Sequence, residues 1–467
     1  MQFLSQKRIN LVLMYHSKKT KMKNFKKNKI IVIAFLMLFF FNSCQTDSEN
    51  INEANENTAL TTKNGLLEAT TGLKLLYSTT GLSFLITSTT TATKEAGTLN
   101  TLVALRQLED GGQNMPNDNP TITGLWGTML RVLKNSDEII EATNKVPLVP
   151  GTKSGIVAYA KIYKALSIGT LCQNFEKVVT QTNLNNNAQF VSRQQGFLYA
   201  IQLLNEAKSD IVSNPVTPEI TSLWNSEVNL VNTLNALIAR YSLFAGNYTD
   251  AISAANLVSL TTKSVFKYDS RNLNPVFVNS VQANNSRPVA NFGLSSTLFP
   301  VAATDGRRAF YLTVPGVVPV SLYGNYPLNL LTGFFGTATS DIPVYLVDEM
   351  KLIKAEAHLR KASPDLSAAT LELNSVLTGT DVFGVNANLP AYSGPNTVTD
   401  LLLEVYRNRR IELFFSGMSL EDSRRFGRPN PTIGPLFYYT DERNRNFYPY
   451  PFTERSNNPN TPADPSI

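Results

Sequence analysis

The sequence predicts a mainly α-helical domain, built on tetratricopeptide-like helix pairs and carrying one long irregular insertion with a few short strands. Three observations lead there. Apolar residues recur at helical spacing through much of the chain. Two distant segments repeat each other as helix–turn–helix units. Between about residues 261 and 340 the helical pattern stops, and Gly, Pro and aromatic residues are scattered instead.

The helices are read from their apolar faces. Trp126, Met129, Leu130, Leu133 and Ile140 make one such face, and Phe197, Ile201, Leu204 and Ile211 a second. Leu230, Leu234, Ile238, Tyr241 and Ala245 make a third, and Leu346, Met350, Ile353 and Ala357 a fourth. Further helices are expected over about Gly155 to Leu171 and Thr399 to Phe415. Thr121, Ser192 and Asp341 stand near the predicted starts, and Gly246 and Gly379 near the stops. The repeated segments are Leu237 to Ala251 and Leu352 to Ala369. Small residues at Ala239, Ala251, Ala357 and Ala368 let two antiparallel helices approach closely, and Gly246 supports the turn. A generic two-helix hairpin gives the same pattern. Within the insertion, Ser264 to Tyr268 and Pro275 to Val278 read as short strands. Irregular stretches that long are usually functional.

The chain has 467 residues, long enough to bury a sizeable core, with 43% hydrophobic and only 17% charged residues. Its formal charge of +6 invites a nucleic-acid reading until the charge is located. Residues 1–43 hold nine Lys or Arg and no Asp or Glu, and within them Ile30 to Phe41 is uninterruptedly apolar. This is the pattern of a secretory signal, and it is too short for a membrane span of about twenty residues. Translation from Met22 would give a signal of ordinary length, leaving residues 1–21 as an upstream extension. Removing residues 1–43 leaves 33 basic against 36 acidic residues, a net charge of −3, and the case for a nucleic-acid partner goes with them. Phe41-Asn42-Ser43-Cys44 resembles a bacterial lipobox, with Cys44 as the acylated mature N-terminus; the alternative is an ordinary signal with an incidental cysteine. Residues 44–60 read as a flexible tether and 61–467 as a single domain. Two Cys and two His exclude a disulfide framework and a Cys/His metal cluster.

Motifs concentrate towards the C-terminus. Asp341-Ile342-Pro343-Val344 leads into Ala355-Glu356-Ala357. Arg407-Asn408-Arg409-Arg410-Ile411-Glu412-Leu413 runs on to Gly417, and Asp422-Ser423-Arg424-Arg425 follows. The chain closes with Tyr448-Pro449-Tyr450-Pro451 and Asn458-Pro459, and upstream lies Asp305-Gly306-Arg307-Arg308. In this order the elements resemble the SusD/RagB family of Bacteroidetes outer-membrane lipoproteins, whose Asp-Pro-Arg element is matched by Asp305 and Arg307. The acidic residues Asp47, Glu49, Glu53 and Glu56 behind Cys44 likewise resemble the surface-export signal of such lipoproteins. Asn408 replaces the Glu of the family's Glu-Arg-Arg, Ser416 the Glu before Gly417, and Ser419 the Arg three residues before Asp422; these departures mark a divergent member.

The resemblance implies a SusD-like helical domain that captures an oligosaccharide or peptide and sits, like a hinged lid, on a TonB-dependent SusC-like transporter in the outer membrane. Lipid on Cys44 would anchor it, facing the cell exterior. Sugars stack their apolar faces on aromatic rings and take hydroxyl bonds from Asn and Asp. Two loops offer that mixture. One is Gln107 to Thr121, with Asn114, Asn117, Asp118 and Asn119. The other is in the insertion, with Tyr323, Tyr326, Phe334 and Phe335. Those aromatic residues fit a core equally well, and Trp126 matches a helical core position.

Catalysis finds no support in the residues. His358 is the one mature histidine and has no Ser or Cys nucleophile motif. Cys172, placed after a helix end, reads as a buried small hydrophobe. Glu109-Asp110 reads as a solvated loop, since adjacent carboxylates seldom converge on one bond. The arginines 407, 409, 410, 424 and 425 read as structural, with Glu404–Arg407 and Arg409–Glu412 paired three residues apart on one helix. No phosphate-binding glycine loop is present, and neither a cofactor nor a metal is expected. The competing class is a helical-repeat scaffold that binds only protein.

Overall fold

The computed structural model describes residues 60–112, 115–182, 187–224, 227–429 and 442–466. The signal, Cys44 and all of the tether except Leu60 lie outside the described residues. Asn57–Ile467 forms one compact unit.

Helix α1 (Lys63–Leu75) passes through a π-helical segment, Leu76–Gly81, into α2 (Leu82–Ala92). After β1 (Ala96–Thr98) come α3 (Val103–Asp110), α4 (Pro120–Ala142) and α5 (Pro150–Asn174). The cap of α4 is Asn119, whose Oδ1 accepts from Thr121 N and Ile122 N, with Pro120 as first helical residue; the expected cap, Thr121, lies inside the helix. The hairpin of β2 (Lys177–Val179) and β3 (Phe190–Ser192) leads to α6 (Arg193–Ser213), which Ser192 and Gln195 start with a reciprocal capping box. Helices α4, α5 and α6 pack side by side. Cys172 sits in the last turn of α5 rather than beyond it, and is fully buried as expected. Trp126 is core, and so is Trp224 in α7 (Pro218–Trp224), stacked on Tyr159 at 4.1 Å.

The repeat-like pairs are α8 (Leu230–Ala245) with α9 (Tyr248–Asn256), and α11 (Val347–Arg360) with α12 (Leu366–Leu377). Gly246, at φ 85°, makes the left-handed turn between the first two. Helix α9 packs on α11, so the pairs stack, and α13 (Val398–Glu412) closes the stack. Ala239, Ala251 and Ala357 are buried at these contacts; in α12 the fully buried position is Ala369 rather than Ala368. A second apolar cluster, with Leu352, Leu359, Leu373, Leu401 and Val405, fills the space among α11, α12 and α13. Helix α13 stops at Glu412, three residues before the expected end, because the chain turns through Phe415 (φ 58°) and Gly417 (φ 85°) into α14 (Ser419–Arg425). A last short helix, α15 (Phe452–Asn457), follows Pro451, and Asn458 Nδ2 ties its end to Ala188 O at 3.0 Å.

Between the two pairs runs the insertion, and its ends are joined. β4 (Val265–Phe266) pairs antiparallel with β8 (Ile342–Pro343). Inside it, β5 (Ser286–Pro288) adds to β1, and β6 (Leu312–Thr313), which follows α10 (Gly306–Tyr311), pairs with β7 (Leu330–Leu331). Pro275–Val278 is not a strand. Asn274 Oδ1 accepts from Val276 N and Phe277 N, capping helical turns that run to Gln282. Asp341 is not a cap either: β8 intervenes, and α11 starts after Leu346 without a side-chain cap.

The C-terminal motif residues form a buried ionic web. Arg409 is bidentate to Asp422 (3.0 and 3.0 Å), and Arg425 reaches Glu356 (2.7 Å) and Asp422 (2.7 Å). Arg410 spans the carbonyls of Thr93 and Phe292 at 3.0 and 3.2 Å. Arg424 pairs with Glu421 at 2.5 Å. The expected Glu404–Arg407 pair is made at 2.8 Å. Arg409 and Glu412 do not pair with each other: Arg409 is taken by Asp422 of the next helix, and Glu412 turns to Arg307 (3.4 Å). Asn408 accepts from Arg307 at 2.9 Å.

Candidate functional site

The structure disperses the expected loop residues. Asn114 lies outside the described residues. Asn117 is half-buried and its carbonyl accepts from Phe452 N (2.9 Å), Asp118 is exposed, and Asn119 is consumed as a helix cap. Tyr323 and Tyr326 are half-buried under cations, with Arg106 5.5 Å and Lys94 5.7 Å from the ring centres. Glu109 ties the chain between these tyrosines to β1. It is buried at the end of α3, where its carboxylate accepts from Thr98 N (2.9 Å) and Gly324 N (3.2 Å). The solvated loop expected for Glu109 is therefore corrected: burial raises its pKa, and the carboxylate serves as a brace. Phe334 and Phe335 stand apart from the tyrosines. They pack with Phe310, Tyr311 and Phe415, and Phe335 is fully covered, which leaves it no face for a sugar.

Phe335 instead lines a small, partly open cavity with Tyr77, Tyr241 and Phe414. Its polar wall is the buried pair Arg240–Glu349, held at 2.5 and 2.7 Å. At about 60 Å³ it is far below the roughly 300–1,000 Å³ of ligand pockets.

An open cleft of about 490 Å³ has the right size. One wall is α13, which presents Asp400, Leu403, Glu404 and Arg407, positions that share one helical face. Leu298 and Phe299 come from the insertion, Tyr392, Gly394 and Pro395 from the loop before α13, and Arg428 from the segment after α14. The arginines lie over Phe299, at 5.7 Å for Arg407 and 4.7 Å for Arg428, and so hold its ring in place. Glu404 accepts from Arg407 (2.8 Å) and from Asn408 Nδ2 (2.9 Å), while Glu442 takes Arg428 at 2.9 Å. The Tyr392 hydroxyl donates to Pro395 O (3.0 Å), and burial, aided by Glu404 and Asp400, raises its pKa. The cleft thus joins exposed Leu298, half-buried Tyr392 and Leu403 and the buried Phe299 to carboxylates and guanidiniums already fixed by their neighbours. That suits recognition of a ligand with apolar faces and hydroxyls.

Glu404 and Arg407 were legible as a helix pair but not as a cleft wall. Phe299, Tyr392 and Arg428 were missed. The available signal was a tyrosine alone in the small, polar Pro390-to-Thr397 loop, facing a 400/403/404/407 stripe. His358, half-buried on α11, has its pKa lowered by burial and by Lys361, and its Nδ1 makes no hydrogen bond.

No family model matches the chain, and no curated protein matches it. Solved structures do. A SusD superfamily protein from Bacteroides thetaiotaomicron VPI-5482 superposes with a TM-score of 0.65 at 16% identity, over 86% of this chain and 100% of that one. A SusD-like carbohydrate binding protein from Bacteroides fragilis NCTC 9343 gives 0.65 at 14%, over 87% and 100%. Another SusD-like carbohydrate binding protein, from Bacteroides vulgatus ATCC 8482, gives 0.60 at 16%, over 86% and 92%. The chain has the SusD-like fold, mainly helical with a few short strands, as its motif order predicts.

Proposed function

We propose that this protein is a cell-surface lipoprotein that captures an oligosaccharide and delivers it to a TonB-dependent, SusC-like transporter. The observation that carries the reading is the 490 Å³ cleft, whose lining mixes Phe299 and Tyr392 with Asp400, Glu404 and Arg407. Fold alone does not assign a function. The reading gains support because two neighbours of this fold are described as carbohydrate binding proteins. Membrane attachment rests on the lipobox ending at Cys44; no helix among the described residues is long and apolar enough to cross a membrane. An exposed apolar run, Val314, Val317, Val318, Val320 and Leu322, supports a protein partner on the insertion.

Calorimetry against a panel of oligosaccharides and peptides tests the capture role. Saturable binding of a glycan is expected. Silence from every small ligand, with tight pull-down of a protein partner, would favour the scaffold reading instead. Cys44→Ser tests the anchor: the variant should lose lipid labelling and leave the membrane fraction, and an unlabelled wild type that stays membrane-bound defeats it.

A further inference from the structure

Asp348, Asp381 and Glu412 come from three separate elements and meet at one buried point. Asp348 is in the first turn of α11, Asp381 in the loop after α12, and Glu412 at the end of α13. One carboxylate oxygen of each lies within 4.8 Å of those of the other two. None is more than 8% exposed.

One oxygen of Glu412 and one of Asp381 have partners. Glu412 Oε2 faces Arg307 at 3.4 Å, and Asp381 Oδ1 accepts from Phe383 N. Of the remaining oxygens, Glu412 Oε1 and Asp381 Oδ2 are buried and accept no hydrogen bond. Asp348 Oδ1 has the Lys351 ammonium 2.6 Å away. Asp305 already neutralises Arg307 through two bonds of 2.9 and 2.7 Å. That leaves one ammonium against three carboxylates. Burial raises the pKa of all three, and for Asp381 and Glu412 the neighbouring carboxylates add to it. Two buried acceptors without a hydrogen bond, in a net-negative cluster of three carboxylates, form an arrangement that costs free energy unless a cation occupies it.

We propose that Asp348, Asp381 and Glu412 bind a divalent cation, with calcium preferred. All three donors are carboxylate oxygens, which suits a hard cation and not zinc or copper. Three oxygens within 4.8 Å of one another can converge on one ion with bonds close to the roughly 2.3–2.6 Å of calcium. Magnesium takes shorter bonds, holds a strict octahedron and keeps several waters, which a site buried between two helices and a loop accommodates less well. Calcium here would clamp the start of α11, the loop after α12 and the end of α13 together. The Lys351 ammonium, which also bonds Ser375 O at 3.3 Å, would give way to it.

The test uses the purified protein stripped with EDTA. Calcium titration, followed by calorimetry and by terbium luminescence, should show one saturable site per chain, and calcium should raise Tm. Asp381→Asn, which spares the Arg307 pair, should weaken calcium binding at least tenfold and abolish the Tm rise while leaving the circular dichroism spectrum unchanged. Magnesium should bind at least tenfold more weakly than calcium. The proposal is overturned if wild type binds no calcium at millimolar concentration, if Asp381→Asn binds it undiminished, or if magnesium binds equally well. An Asp381→Asn variant more stable than wild type at every calcium concentration also overturns it, because protons then suffice to hold the cluster.

Discussion

Arg307 and Glu412 face each other at 3.4 Å, both fully buried and 105 residues apart in the chain. Arg307 opens α10 in the insertion, and Glu412 ends the last helix of the repeat stack, so this contact holds the insertion against the stack. The same guanidinium takes Asp305 and Asn408, which leaves no substitute that satisfies all three. Arg307→Met should therefore destabilise the protein by about 3–5 kcal/mol, because it strands buried carboxylates without a partner. Arg307→Lys keeps the charge but loses the planar fork, and should fall between the two. Urea unfolding measures both; a loss below about 1 kcal/mol for the Met variant would show that the neighbouring carboxylates find other partners.

Two glycines set how closely the central helices pack. A Cβ at Gly196 of α6 would lie 2.3 Å from Cys172 Sγ of α5, and one at Gly169 would lie 2.3 Å from the Tyr241 ring of α8. Gly196→Ala should cost about 1–3 kcal/mol by overpacking, despite the better helix propensity of alanine. Removing the obstructing sulfur should rescue it: Cys172→Ala with Gly196→Ala is expected to be more stable than the sum of the two single losses. A double-mutant cycle by chemical denaturation reads this directly, and strict additivity would mean that the helices had moved apart.

The elements legible in the sequence are those whose period or cap survives folding unchanged. Ser192 and Gln195 form their box, Gly246 makes its left-handed turn, and the 230–245 stripe is core. Helix α2 was not legible, because a run of buried hydroxyl residues, Thr87 to Thr91, interrupts the apolar pattern that Leu82, Leu85 and Ile86 begin. The hydroxyls of Thr89, Thr90 and Thr93 bond back to carbonyls one turn earlier at 2.7–2.8 Å, so these buried polar groups are satisfied within their own stretch of chain. The cleft was hidden for another reason. Its lining comes from four separate stretches of chain, and only the helix of Asp400 and Arg407 carries a local pattern.

From Glu95 and Glu421, stability should peak near pH 4.5 and fall on both sides of it. Glu95 is buried 3.6 Å from Arg410 Nε; burial raises its pKa to about 7 against the pull of Arg410, and Asp422 adds to the rise. Its folded value lies above the ordinary 4.5, so the folded chain holds a proton that the unfolded chain releases. That contribution is fully present below about pH 4.5 and is lost as pH rises through about 7. Glu421 acts oppositely. Burial would raise its pKa, but Arg193, Arg424 and Arg425 outweigh burial and hold it at about 2, so its contribution is lost as pH falls from about 4.5 towards 2. Glu95→Gln should flatten the decline in Tm between pH 5 and pH 8, with little effect on the acid side. A decline as steep as that of wild type would remove Glu95 as its cause.

Two surfaces compete as the place where a sugar stacks, and single alanines separate them. Tyr392 lines the cleft with an apolar ring beside Glu404 and Arg407, whereas Tyr323 and Tyr326 lie under Arg106 and Lys94 on the face braced by Glu109. An aromatic stacking contact contributes about 0.5–1.5 kcal/mol beyond the area it buries. Tyr392→Ala should therefore weaken binding of the preferred oligosaccharide by up to about tenfold, since 1.4 kcal/mol is a factor of ten. Tyr323→Ala and Tyr326→Ala should leave the affinity within about twofold of wild type, because rings already covered by a cation offer less surface to a sugar. Calorimetry on the three variants decides the matter. If the two insertion tyrosines carry the loss and Tyr392 does not, the ligand lies on the Glu109 face, and the cleft along α13 is a feature of packing rather than of capture.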